Sequence, residues 1–255
     1  MLEHSDGILP RSKTVWVPRP VGKHKWRKAW RRSKLSKKAL KSVDKCITIG
    51  APIETRVAPK KAKRIYITDT EVNHLAHNLC KPTDIVIPTH FIDELSGKLL
   101  HKKAKIHRID GLHGHVHLHP TLRPRTVSTP PKVMVRRLVG DGIHDSDEIL
   151  EIPENWLEGL DVKCADENEV EGNPWDLITK ISSMDGVITQ SVTLASESAL
   201  LGVPCLLVTK AVRGFLQRLE NEGYPLFIAN KLDESILSSW LAGIHLTDVL
   251  ELPDW

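Results

Sequence analysis

The sequence predicts an α/β protein of two Rossmann-like domains, each built on a parallel sheet. Three observations predict it. Short apolar runs alternate with helix-like segments along the 255 residues, and repeated strand, helix, strand is the pattern of parallel α/β architecture. Several runs are rich in Val and Ile and apolar on both faces, as in strands buried inside a covered sheet. One stretch rich in Pro, Ser and Thr, "LHPTLRPRTVSTPPK" (118–132), breaks the alternation and reads as a linker. It divides the chain into a domain over 1–125 and a second over 126–255.

In the first domain the strand candidates are "TVWVP" (14–18), "KCITIG" (45–50), "RIYIT" (64–68), "DIVIP" (84–88) and "KIHRI" (105–109), with helices expected over 25–43, 71–79 and 91–99. In the second they are "VMVRRL" (133–138), "LDVKC" (160–164), "GVIT" (186–189), "CLLVT" (205–209) and "LFIA" (226–229), with helices over 175–183, 192–202, 212–223 and 232–243. β-Branched side chains fit a pleated surface, which assigns the Val- and Ile-rich runs to strands. Ligands of such sheets bind outside the carboxyl ends of the strands, here in a cleft between two domains.

Apolar content of 40% suffices for a core. Cys46, Cys80, Cys164 and Cys205 lie far apart and form no CxxC, so neither a zinc knuckle nor a disulfide framework is indicated. Cys46, Cys164 and Cys205 sit in apolar runs and read as small core residues in a reducing, cytoplasmic setting. No run approaches the ~18 apolar residues of a membrane-spanning helix, and the first residues lack a signal-peptide core.

The net charge of +4 hides an asymmetry: between Arg11 and Lys45 stand 14 Lys and Arg and a single acid, Asp44. Within that stretch Trp26 and Trp30 are four apart and share a helix face. Three readings stand for it: a solvated face of a core helix, a contact with an anionic membrane, or a contact with nucleic acid. No nucleic-acid fold signature accompanies the charge.

The strand "GVIT" runs into "QSVTLASESALLGVP" (190–204). The first N–H groups of a helix starting at Val192 have no intrahelical partners, and with the helix dipole they favour a phosphate or diphosphate. Ser191, Thr193 and Ser196 are small hydroxylic residues that allow close approach, and Glu197 stands about one turn in, where a carboxylate can take ribose hydroxyls. The plainer reading is a helix capped by Ser191.

This stretch resembles the nucleotide-sugar-binding strand, loop and helix of GT-B enzymes, among them the GlcNAc transferase of peptidoglycan synthesis and the non-hydrolysing UDP-GlcNAc 2-epimerase. Where those relatives carry one or two glycines, this chain has Ser191 and Val192. "YITDTEVNHLAHNLCKPTDIVIPTHF" (66–91), "LHP" (118–120), "VRRLVGDGIHD" (135–145), "TLASESALLGVP" (193–204) and "RGFLQRLENEGYPL" (213–226) follow the order seen in a largely archaeal family, domain of unknown function 354, itself similar to the GT-B glycosyltransferases. The resemblance covers roughly 21–230. It implies a GT-B-like fold and a UDP-sugar ligand, with Glu197 on the ribose and the residues before it on the diphosphate, and the chemistry of a glycosyltransferase or an epimerase with no bound metal. It also implies that the first strand, loop and helix of the family are missing, so that the first domain is N-terminally incomplete and its sheet keeps an unpaired edge that a homodimer partner could cover. A non-catalytic binding or assembly subunit is the alternative reading.

Other candidates follow from the same comparison. Asp69 and Glu71, after "RIYIT", are expected at a strand's carboxyl end as acid/base groups, or else as the cap and first turn of a helix. "GDGIHD" (140–145) brings Gly142, His144 and Asp145 to the end of the second domain's first strand; Gly permits close backbone approach and His144 could meet a phosphate or act as an acid. Arg213, past "CLLVT", could reach a phosphate. His113, His115, His117 and His119 alternate and would share one face of a strand, without a matching carboxylate or Cys for a metal.

Overall fold

Among the described residues nine strands form two sheets, of four and five strands, accompanied by seven α-helices, and the registered strand pairs run parallel. The computed structural model describes residues 25–116, 118, 126–138, 149–165 and 176–245. The expected strand at 14–18, part of the linker stretch, and Gly142, His144 and Asp145 lie outside the described residues. By its internal contacts the chain forms two compact units.

The first unit takes the described residues up to Thr68 together with Asn73–Ile87 and Ser96–Arg108. Its sheet runs β1 (Lys45–Ile49), β2 (Lys63–Ile67), β3 (Asp84–Pro88), β4 (Lys105–Ile109) in sequence order, with α1 (Lys25–Ala39), α2 (Pro52–Val57) and α3 (His74–Leu79). Cys46, Thr48, Tyr66, Ile85 and Ile87 are buried. Thr48 and Thr55 of α2 share a 2.7 Å hydrogen bond, which seats α2 on their side of the sheet. α1 is tied to α2 by Glu54, whose Oε1 accepts from Arg32 Nε at 2.8 Å and Ser36 Oγ at 3.0 Å. The opposite alternation leaves Ile47 59% and Ile49 74% exposed on β1, which among the described strands pairs with β2 alone.

Two helix expectations change here, and one helix was not expected. The helix expected over 71–79 begins only at His74, where Asn73 Oδ1 caps it by accepting the Ala76 N–H at 3.2 Å. The helix expected over 91–99 contracts to a 3-10 turn, Asp93–Ser96, which ends at Gly97 with φ of 60°, a conformation glycine adopts freely. The unforeseen α2 starts at Pro52, whose fixed φ and missing N–H suit a first helical turn.

The second unit takes Asp69–Val72, Pro88–Leu95 and the described residues from Ile109 onward. Its sheet has the order β6-β5-β7-β8-β9, with β5 (Lys132–Arg136), β6 (Asp161–Cys164), β7 (Gly186–Thr189), β8 (Cys205–Val208) and β9 (Leu226–Ala229). Side chains alternate between two cores, as the period of a strand requires. Met134, Val187, Cys205, Leu207 and Leu226 face one, where α4 (Asp176–Ser182), α5 (Val192–Leu200) and α6 (Gly214–Asn221) add Ile181, Leu194, Leu200, Leu216 and Leu219. Val133, Val135, Ile188, Leu206 and Val208 face the other, where α7 (Glu234–Ile244) adds Trp240 and Ile244 and a 3-10 turn adds Trp156. A sheet covered on both faces is what all-apolar strands such as "GVIT" and "CLLV" require. Cys164 departs from its expected burial: β6 is an edge strand and leaves the thiol exposed. The alternating histidines depart too, since His113–Val116 is a 3-10 turn rather than a strand; His117 and His119 lie outside the described residues.

No helix among the described residues is long and apolar enough to cross a membrane.

Candidate functional site

The order β6-β5-β7-β8-β9 contains a reversal. From β5 the chain goes outward on one side to β6, then returns to the other side of β5 to form β7. The crevice at such a reversal, outside the carboxyl ends of the strands, is where open α/β sheets take their ligands. β5 and β7 pair in parallel with Arg136 opposite Thr189, so both end at this point.

What stands there follows from local hydrogen bonding. Thr189 Oγ1 donates to the Arg136 carbonyl at 3.2 Å and accepts the Ser191 N–H at 3.0 Å, turning the chain sharply out of β7. Ser191 then caps α5, its Oγ accepting the Leu194 N–H at 3.4 Å. Gln190 is buried and points back: its Oε1 accepts the Leu138 N–H at 2.7 Å and its Nε2 donates to the Leu150 carbonyl at 2.7 Å. Ile149 bridges to Thr209 at the end of β8. One side chain thus binds both Leu138 and Leu150, residues twelve apart in the chain. A lone Gln before a cap carries no pattern of its own, so nothing in the sequence marks Gln190.

On α5, Leu194, Ala195, Ser198, Ala199 and Leu200 face the core. Thr193 is exposed, while Ser191, Ser196 and Glu197 are half-buried. Thr193 and Glu197 are four apart and share a face. The start of α5 therefore carries small hydroxyls, with a carboxylate about one turn further in, residue types that suit a phosphate and a sugar diol. Arg213 follows β8, is buried, and donates from Nη1 to the Val212 carbonyl at 2.9 Å.

Asp69 and Glu71, expected at a strand's carboxyl end as acid/base groups or as the cap and first turn of a helix, differ in their surroundings. Asp69 is exposed and its Oδ1 accepts from Thr70 Oγ1 at 3.2 Å. Glu71 is 0% exposed. Its Oε1 accepts two backbone N–H groups, from Gly214 at 3.0 Å and Ile92 at 3.3 Å, while Oε2 is buried without a hydrogen-bond partner. Glu71 is therefore the carboxylate at the N-terminus of α6, a place where negative charge is favoured. It does not lie in the first turn of α3, which starts at His74. Only glycine fits at 214, because a Cβ there would run into the His90 carbonyl oxygen.

Further along α6, Arg218 pairs with Asp110 Oδ1 at 2.5 Å and Glu222 Oε1 at 2.7 Å. Its hydrogen bond, followed by those from Thr89 and Gly111, holds the Asp110 carboxyl below the usual carboxylate range. Burial first, then Arg218, pushes the His90 and His115 imidazoles below the usual histidine range. No group of three or more His, Cys, Asp or Glu among the described residues is placed to hold a metal ion.

These features define an α/β protein with Rossmann-like parallel sheets, the second of which reverses its strand order beside β5. Compared with protein-family models, curated proteins and solved structures, the chain matches none.

Proposed function

We propose that the chain is a GT-B-like nucleotide-sugar-binding protein, a glycosyltransferase using a UDP-sugar donor. The observation that carries the reading is the reversal between β5 and β7, into which the small-residue N-terminus of α5 opens. In this reading the diphosphate lies against the first N–H groups of α5 and the hydroxyls of Ser191, Thr193 and Ser196. Glu197 takes the ribose, and Gly142, Asp145 and Arg213 are the further nucleotide-sugar contacts of this reading. Helix N–H groups aimed at a departing diphosphate stabilise the charge that grows there during glycosyl transfer. Of the two carboxylates expected to act as base, Asp69 is the exposed one and takes that role with His144; Glu71 keeps α6 seated.

A second reading, a binding subunit without turnover, is favoured by the same burial of Glu71, which removes one expected base from solvent. Calorimetry with UDP and UDP-GlcNAc tests the shared part. Glu197→Ala should weaken binding by about 1–3 kcal/mol, the worth of hydrogen bonds to a charged group. Failure of the folded wild type to bind either nucleotide overturns both readings. Binding without donor consumption, unchanged in Asp69→Asn, leaves the second. The bare Ile47 and Ile49 on the edge strand β1 fit a homodimer; sedimentation of wild type beside Ile49→Glu tests it.

A further inference from the structure

Of the three readings of the basic stretch we propose the second: the outward face of α1 is a docking surface for an anionic lipid bilayer. α1 has two unlike sides. The inward side is engaged: Arg32 and Ser36 bind Glu54 of α2, and Ser36 is buried. The outward side carries Arg27, Arg31, Lys34 and Lys38, all exposed. Their spacing of four, three and four residues sets them in one row along the helix. Trp30 and Leu35, 59% and 41% exposed, flank that row on its two sides. Lys34 Nζ lies 3.8 Å from the Trp30 ring centroid.

An ordinary solvated face does not look like this. Such faces intersperse acids with bases, since opposite charges four apart stabilise a helix and like charges destabilise it. The sequence of α1, KWRKAWRRSKLSKKA, contains no acid. Arg27 and Arg31, Arg31 and Lys34, and Lys34 and Lys38 are neighbours of like charge, so the row opposes its own helix until an anionic surface meets it. The flanking residues select among anionic surfaces. A phosphate backbone offers nothing to Leu35. At a bilayer interface an indole and an aliphatic tip both enter the boundary between headgroups and acyl chains while the cations meet lipid phosphates. This surface lies in the first unit and stands independently of the donor-site reading.

The test is co-sedimentation of the full chain with vesicles of phosphatidylcholine containing about a third phosphatidylglycerol, beside pure phosphatidylcholine. Binding should need the anionic lipid and should be released by about 0.5 M salt, where charges are screened within a few ångströms. The double variant Arg31→Glu, Lys34→Glu should lower partitioning by roughly tenfold or more. Trp30→Ala should lower it several-fold with the charge unchanged. Circular dichroism checks that both variants stay folded; if the double variant does not, Lys38→Glu alone replaces it. The proposal is overturned if wild type does not sediment with anionic vesicles, if charge reversal leaves sedimentation unchanged, or if an oligonucleotide at the same ionic strength binds while the vesicles do not.

Discussion

Oε1 of Glu71 accepts the N–H of Gly214, 143 residues further along the chain, at 3.0 Å. A cap supplied from so far away fixes the start of α6 against the turn at 69–72. In Glu71→Ala the N–H groups of Gly214 and Ile92 stay buried and lose their acceptor, so urea unfolding should show a loss of about 2–4 kcal/mol. Glu71→Gln keeps an oxygen acceptor and should cost about 1 kcal/mol. Equal losses in the two variants would remove capping as the role of this residue. Gly214→Ala should cost more than either, because its methyl meets the His90 carbonyl oxygen.

Trp240 is 0% exposed and its Nε1 donates to the Pro204 carbonyl at 3.1 Å. A Cβ at Gly186 would sit 2.8 Å from Trp240 Cζ2. Trp240→Ala should lose about 3–5 kcal/mol. Gly186→Ala should lose about 1–3 kcal/mol by overpacking. Trp240→Phe removes the ring edge that the new methyl meets, so Gly186→Ala should cost less in that background. A double-mutant cycle that came out additive would place the strain elsewhere.

Acid should unfold the second unit in two stages. His90 and His115 titrate below the usual histidine value, so near pH 6.5 the unfolded chain binds protons that the folded one refuses. Stability therefore falls as pH drops through that value and levels off below the folded pKa. Around His90 the charged groups are Arg218, Asp110, Asp69 and Glu222. Asp110 has a lowered folded pKa, so its contribution is present above the ordinary Asp value and is lost as pH falls through the folded one. Urea midpoints across pH should show both stages, and His90→Gln should flatten the upper one while sparing the lower.

Thiol reactivity should sort the four cysteines. Cys46, Cys80 and Cys205 are buried, and burial pushes each thiol above its ordinary range. Cys164 is exposed on the edge strand. Ellman's reagent should titrate one thiol rapidly in the folded protein and four after denaturation. Cys164→Ser should abolish the rapid phase, and a rapid phase surviving that change would mean that a core strand opens.

The strands were legible because a buried parallel strand is written in consecutive residues: "DIVIP", "GVIT" and "LFIA" appear where the apolar runs put them. α2 was not, since six residues beginning with Pro offer less than two turns of periodicity. The histidine alternation misled because a 3-10 turn at His113–Val116 erases a two-residue period. Ser191 as the cap of α5 was legible because a strand end and a helix cap are adjacent in sequence. The roles of Glu71 and Gln190 could not, because their partners at Gly214, Leu138 and Leu150 lie far off in the chain and only the fold supplies them.

The grip of Gln190 on Leu138 and Leu150 bears on how this protein can change over generations. With both ends held, the entropy of closing the intervening chain grows only slowly with its length, by about 0.6 kcal/mol for each doubling. Insertions and deletions between 139 and 148 therefore leave the sheet and α5 almost undisturbed. Gln190 keeps that frame whatever the length of the chain between its two partners.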